Sequence, residues 1–330
     1  MSGLTSSSPV ACAPVICLRG PTAAGKTEMA IALAERFPVD IISVDSAMIY
    51  RGMDVGTAKP GPGILKRYPH RLIDLLDPSE SYSASRFRDD ALAEIRRSHR
   101  AGRIPLLVGG TLLYFRALEE GLSSLPPANA EVRRQLENQA LASGWRELHE
   151  RLAERDPEAA ARIHPNDSQR IQRALEVCML SGRRMTDLLR ERSGPPGGLR
   201  FLRLALLPPG RAELHRRIGE RFHGMLELGL EEEVHRLRER SDLRLNLPAM
   251  RAVGYRQVWL YMDGAYGREE MVRRAIAATR QYAKRQLTWL RRDPAVRTFA
   301  TDTGSTLGEI EGLVAAEWEA WSGAGKRSVT

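Results

Sequence analysis

The octapeptide Gly20-Pro21-Thr22-Ala23-Ala24-Gly25-Lys26-Thr27 constrains this chain more than any other stretch. Its G-x-x-x-x-G-K-T spacing builds a cradle in which glycines let backbone N–H groups turn inward toward phosphate oxygens. The apolar run Val15-Ile16-Cys17-Leu18 before it reads as a buried strand, and the segment from Glu28 to Phe37 after it reads as a helix. The loop therefore opens a helix whose positive end adds to the pull on an anion. Lys26 is placed to reach terminal phosphates, and the Thr27 hydroxyl is placed to hold Mg²⁺. The expected ligand is a phosphate-bearing group with its Mg²⁺.

The loop sits in an alternation of strand and helix signals: strand 15–18, helix 26–37, strand 40–44, a Gly/Pro-rich loop 52–63, strand 71–76, helix 83–100 and strand 104–108. That order predicts an α/β fold with a P-loop NTPase-like parallel sheet. Past Pro126-Pro127 the periodicity turns helical up to about Arg192, and Ser193-Gly-Pro-Pro-Gly-Gly198 reads as a flexible return. Strand signal resumes at Phe201–Leu207, followed by long helices to Arg292, a short strand at 296–300 and a helix near 313–321. With 330 residues available, we expect a core of residues 1–123 and 199–330, with C-terminal helices, and a helical insertion at 124–198.

Composition narrows the partners. Fifty Lys and Arg against 41 Asp and Glu leave a net charge of +9. Between Arg251 and Arg292 ten basic residues face three acidic ones, so the excess is concentrated in one segment. Arg273, Arg280, Lys284 and Arg291 keep one basic edge of a helix, with Tyr282 and Trp289 interleaved, a mixture suited to nucleic-acid phosphates and unpaired bases. The three cysteines, Cys12, Cys17 and Cys178, are too scattered for a zinc site or a disulfide framework, and the seven histidines show no metal-binding spacing. No basic leader precedes an apolar run, and no run is long enough to span a bilayer. A cytoplasmic, membrane-free location is expected.

Two further places carry chemistry. Strand 40–44 ends in Asp45, which at a strand end beside the loop could hold Mg²⁺ through water, accept a proton from a nucleophile, or cap the following turn. Strand 104–108 runs into Gly109-Gly110-Thr111, which makes Thr111 a candidate hydroxyl at the same edge of the sheet. On the helix after Asn166-Asp167, either of which can cap it, Gln169, Arg173 and Glu176 share a face that reads as solvated. A kinase would use the same loop but leaves the basic helix without a purpose. An RNA-stimulated ATPase would need a second carboxylate where Gly109-Gly110 stands.

The chain resembles the tRNA dimethylallyltransferase family, also called tRNA isopentenyltransferases. The blocks that carry the resemblance are 20–27, Ile42–Tyr50, Met53–Pro60, Pro69–Asp74, Val108–Tyr114, Gln169–Glu176, Arg251–Gln257 and Thr279–Arg291, in family order over roughly residues 16–292. The resemblance implies transfer of a dimethylallyl group from dimethylallyl diphosphate to the exocyclic N6 of the adenosine just 3′ of a tRNA anticodon. It implies diphosphate on Gly20–Thr27 and Arg221, with Arg217 as the alternative arginine, and Asp45 as the group that takes the N6 proton, with Thr111 orienting the reactants. It also assigns tRNA contacts to Asp45, Ser46, Ala47 and Met48, to Thr111 and Arg133, and to Gln169, Arg170, Ile171, Gln172 and Arg173. Further tRNA contacts fall on Arg251, Ala252, Val253, Gly254, Tyr255 and Arg256, and on Lys284, Arg285, Gln286, Leu287, Thr288, Trp289, Leu290 and Arg291. The helical insertion would contact the anticodon stem-loop. Mg²⁺ is the implied cofactor and a monomer the expected state.

Overall fold

A computed structural model describes residues 13–123, 125–191, 194, 196–301 and 304–327. The expected leaderless N-terminus, Cys12 and part of the 193–198 return lie outside the described residues. The chain divides into two compact units, Met1–Ala117 with Gly197–Thr330, and Leu118–Pro196.

In the first unit β1 (Ala13–Arg19), α1 (Lys26–Arg36), β2 (Val39–Val44), α2 (Pro62–Arg67), β3 (His70–Arg71), α3 (Ala84–Arg100) and β4 (Ile104–Gly109) run to α4 (Leu112–Glu120), which crosses into the second. The second unit holds α5 (Ala130–Arg155), α6 (Pro157–Arg162), α7 (Ser168–Ser181) and α8 (Met185–Arg190). The chain returns through β5 (Leu199–Leu207), α9 (Arg211–Glu227), α10 (Leu230–Arg238), α11 (Tyr255–Met262), α12 (Arg268–Leu290), β6 (Arg297–Ala300) and α13 (Thr306–Arg327).

The six strands among the described residues are all parallel, in the order β3-β2-β4-β1-β5-β6. Ile16 and Leu18 of β1, Leu106 and Val108 of β4, and Leu204 and Leu206 of β5 share one core with Ala30 and Leu33 of α1 and Ile310 and Val314 of α13. The intervening Cys17, Ile42 and Leu107 are equally buried and point to the other face, where α3 lies against β2 and β4. Burial on both faces explains why these strands read as continuous apolar runs instead of alternating ones. This is the P-loop-type α/β core that the strand–helix alternation predicts.

The register sets up the site. Arg19 of β1 and Val44 of β2 both pair with Gly109 of β4, so three neighbouring strands end level. Gly20, Asp45 and Gly110, the next residues of each, start three adjacent loops at one edge of the sheet.

The expected strand at 71–76 is a correction. Ladder pairing stops at Arg71, because Leu72 and Asp74 take positive φ (60° and 54°), which no strand tolerates. The Lys59 ammonium draws Asp74 Oδ1 and the Tyr50 carbonyl together at 2.5 and 3.0 Å, and only an isolated bridge, Tyr50 to Leu76, resumes. The loop 52–63 likewise contains the start of α2, with Pro62 in the first turn. The C-terminal helix is longer than its apolar signal.

The second unit is helical, with α5 broken at Gly144 (φ 85°) and Leu136, Leu152, Ile171 and Leu175 in its core. Asp167, one of the two predicted caps, accepts from Arg170 N at 3.2 Å. The predicted solvated face of α7 is overturned at Glu176. Its fully buried carboxylate takes the Arg133 guanidinium at 2.9 and 3.2 Å, Arg173 Nη1 at 2.7 Å and Asn129 N at 2.8 Å. Burial pushes this carboxyl pKa up, but the two arginines and the amide outweigh it and hold the pKa below the usual range.

Candidate active site

Gly25 adopts φ 72°, the left-handed region open to glycine, and as N-cap of α1 it has no side chain to satisfy the first-turn N–H groups. Those donors are therefore left for an anion. Lys26 stands over the same turn. Its ammonium gives one proton to the Pro21 carbonyl at 2.7 Å, which aims the head group and leaves two donors for phosphate oxygens. Burial, then the neighbouring Arg221 charge, lowers the Lys26 pKa to about 8, opposed by Asp45 and Glu28. Arg221 itself is depressed by burial and supported by Asp45 and Glu28. Two desolvated cations coupled in this way are unfavourable to the free protein, and a bound anion would relieve both costs.

The sign of the Lys26 shift gives a prediction. Above pH 8 the free ammonium loses its proton, whereas a bound diphosphate restores it. Diphosphate binding between pH 8 and 10.5, the interval between the folded and ordinary values, should take up close to one proton. Affinity should fall by up to about tenfold per pH unit there. Calorimetry in two buffers of different ionisation enthalpy measures the uptake, and it should vanish in Lys26→Met.

Asp45 is half-buried at the end of β2. Its Oδ1 accepts from Ala47 N at 2.8 Å and Met48 N at 3.2 Å, so the turn-capping role is real and uses a single oxygen. Its charge also acts on Lys26, Arg221, Tyr114 and Tyr282. The carboxylate's charge is thus felt both by the two cations and by two phenols. Thr111 Oγ1 accepts from Ser46 N at 3.2 Å, and Thr111 N donates to Val44 O at 3.3 Å, which locks the loop after β4 to the loop after β2. Tyr282 sits against Thr111 and Gln286, its pKa pushed up to about 12 by burial and by Asp45. It stays a neutral hydroxyl over the working pH range.

Of the two candidate arginines on α9, Arg217 and Arg221, it is Arg221 that lies beside Lys26. Its Nη2 approaches the Thr57 carbonyl at 3.4 Å, while Arg217 is engaged by Glu213 at 2.6 Å and Thr301 at 3.1 Å. The Thr57 loop is pinned by a residue that carries no motif. The buried Glu233 accepts from Asp54 N, Val55 N and Gly56 N at 2.9, 2.8 and 3.1 Å, and from the Tyr255 hydroxyl at 2.5 Å. It stands among Glu231 and Glu232 in the acidic first turn of α10, where nothing in the sequence singles it out. Glu233→Ala orphans four donors and should cost about 3 kcal/mol of stability, read from the urea midpoint. A loss within about 0.5 kcal/mol would mean that water replaces the carboxylate without penalty.

Several expected tRNA contacts are placed differently. Tyr255, Leu290, Ile171 and Gln286 are buried, Tyr255 on Glu233, Ile171 in the apolar core of the helical unit and Gln286 between two loops. Arg133 and Arg173 are held by Glu176, and Gln172 donates to Arg133 O and Glu137. Thr22 N donates to the buried Gln286, so this amide of the expected cradle is already engaged within the protein. The basic edge of α12 is shortened at its start, because Glu270 pairs with Arg273 and Arg274. Arg280, Lys284, Arg285 and Arg291 remain exposed with no ion pair among the described residues, as do Gln169, Arg170, Arg251 and Arg256 apart from an Arg170–Asp167 pair. Trp289 is 41% exposed with Arg116 over its ring at 5.8 Å, accessible enough to stack on a base.

Among the described residues no cluster of three His, Cys, Asp or Glu could hold a metal by itself, and no helix is long and apolar enough to cross a membrane. The family model described as IPP transferase matches residues 48–293, and one described as isopentenyl transferase matches residues 14–74. The chain is 61% identical over 291 residues to the tRNA dimethylallyltransferase of Alkalilimnicola ehrlichii, covering 87% of this chain and 90% of that protein. It is 59% identical over 286 residues to that of Thioalkalivibrio sulfidiphilus, covering 87% and 89%. The solved full-length tRNA isopentenylpyrophosphate transferase of Bacillus halodurans aligns with a TM-score of 0.68 at 35% identity, over 96% of this chain and 99% of that one. A eukaryotic dimethylallyltransferase acting on tRNA aligns with a TM-score of 0.73 at 25% identity, over 91% and 78%. The chain belongs to the IPP transferase family, the tRNA dimethylallyltransferases.

Proposed function

We propose that this protein transfers the dimethylallyl group of dimethylallyl diphosphate to the exocyclic N6 of the adenosine immediately 3′ of the anticodon in tRNA. The observation that carries the reading is the convergence, at three level strand ends, of a diphosphate cradle with two desolvated cations and a carboxylate. In the transfer the allylic C1–O bond breaks as the N6–C1 bond forms. The electron pair of the broken bond leaves on diphosphate, which Lys26, Arg221 and the first-turn amides of α1 receive. The N6 proton goes to Asp45, because an amine whose lone pair is delocalised into the ring needs a positioned base. Thr111 and Tyr282 fix the turn and the wall beside that carboxylate. The adenosine must leave its stack to reach them.

Mg²⁺ fits this set. The Thr27 hydroxyl would supply one oxygen, and a cation that keeps several waters and takes phosphate oxygens needs no all-protein cage. When bound it would neutralise charge on the diphosphate. A monomer is part of this reading, and tRNA as substrate supports the cytoplasm as its place.

The exposed cations on α12 are assigned to tRNA phosphates. Replacing Arg280, Lys284 and Arg285 together should make the slope of log affinity against log salt shallower by about 2, as expected for three lost contacts to a single-stranded loop. An unchanged slope removes this face from the interface. The function is tested by incubating the protein with Mg²⁺, dimethylallyl diphosphate and unmodified tRNA, then analysing nucleosides by mass spectrometry. An isopentenyl group on the adenosine 3′ of the anticodon is the expected result. ATP consumption with no adduct would instead favour a phosphotransferase.

A further inference from the structure

The side chain of Gln286 on α12 is 4% exposed and both ends of its amide are used. Oε1 accepts from Thr22 N of the diphosphate loop at 3.0 Å, and Nε2 donates to Gly110 O at 2.9 Å. The fit leaves no spare room: a Cβ on Gly110 would stand 2.3 Å from Nε2 and 3.3 Å from Gly20 O. Gly110 leads directly into Thr111, whose Oγ1 holds Ser46 N, the residue after Asp45. An unbroken string therefore runs from the diphosphate loop through Gln286, Gly110, Thr111 and Ser46 to the carboxylate. Its neighbours on α12, Lys284, Arg285 and Trp289, face solvent, so the helix presents its cations outward and inserts one amide between two loops.

We propose that Gln286 is a positioning residue that sets the spacing between the diphosphate loop and Asp45, and that it makes no contact with RNA. The proposal rests on the reading of residues 20–27 as the diphosphate site. An amide is the one side chain of this length that offers an acceptor to Thr22 N and a donor to Gly110 O together. Leucine at 286 orphans both groups. Glutamate keeps the acceptor but sets a carboxylate against the Gly110 carbonyl.

The test measures binding of inorganic diphosphate by calorimetry, the KM for dimethylallyl diphosphate with kcat, and tRNA affinity by filter binding, in the wild type, Gln286→Leu and Gln286→Glu. The expected result is weaker diphosphate binding and a kcat/KM for dimethylallyl diphosphate about 10- to 100-fold lower in Gln286→Leu, since misplacing reacting groups by about 1 Å costs that much. Gln286→Glu should fall between, and tRNA affinity should stay within about twofold in both. Weakened tRNA binding with an unchanged KM for the diphosphate overturns the proposal in favour of an RNA contact. Equal diphosphate binding by wild type and Gln286→Leu overturns the positioning role alone, whereas a wild type that binds no diphosphate overturns the reading of the loop itself. Should Gln286→Leu not fold, amide hydrogen exchange in the wild type decides: the Thr22 amide should be protected, and exchange at the rate of an open loop overturns the tie.

Discussion

Replacing Asp45 with asparagine should slow dimethylallyl transfer in a single turnover by about 10²- to 10⁴-fold, the usual contribution of a positioned general base. Asparagine is the informative choice because the proposed mechanism gives the wild-type carboxylate two jobs. Its Oδ1 organises the turn through Ala47 N and Met48 N, and an amide oxygen can still do so. What asparagine cannot do is take the N6 proton. Affinity for tRNA should therefore stay close to wild type in Asp45→Asn, while Asp45→Ala loses the turn as well and weakens tRNA binding besides. A second consequence follows from charge. Asp45 helps keep Lys26 protonated against burial and Arg221, so its neutralisation moves the Lys26 pKa further below about 8. Diphosphate binding by Asp45→Asn should begin to weaken at a lower pH than in the wild type. Near-wild-type single-turnover rates in Asp45→Asn would exclude this carboxylate as the base.

The alternation of strands and helices was legible because buried parallel strands and the glycine-rich loop leave local marks. So were the positions of Lys26, given by the loop motif, and of Asp45 and Thr111, each just past a strand end that the apolar runs reveal. What was not legible depends on partners far away in the chain. Glu233 is one of three consecutive glutamates until the fold brings it to the amides of residues 54–56. Gln286 lies in a basic, RNA-like segment, and only its reach to Thr22 and Gly110, 264 and 176 positions away, reveals its direction. Glu176 on α7 sat in a polar helical pattern that gives no sign of burial, yet two arginines and an amide satisfy it inside. The strand expected at 71–76 failed for a different reason. A side chain from another segment, Lys59, stabilises a backbone conformation that the local apolar pattern argues against. Residue type and spacing report chemistry and burial, but which polar group spends its hydrogen bonds inside is decided by tertiary geometry.

Lys26→Met should lower kcat/KM for dimethylallyl diphosphate by about 10²- to 10³-fold, the loss expected when one preorganised donor is removed from developing negative charge, and Arg221→Met should fall in the same range. The two effects should not multiply. The cations repel each other in the free protein, since Arg221 is the largest charge lowering the Lys26 pKa. Without Arg221, Lys26 regains part of its ordinary basicity, and the alkaline fall in diphosphate affinity should move upward from about pH 8. The double variant should accordingly lose less than the product of the single losses. The pH shift separates this coupling from simple damage to the fold, because a distorted site would weaken binding at every pH without displacing the titration. An alkaline limb that stays in place in Arg221→Met would show that burial alone sets the Lys26 pKa and that the arginine acts on the diphosphate without acting through its neighbour.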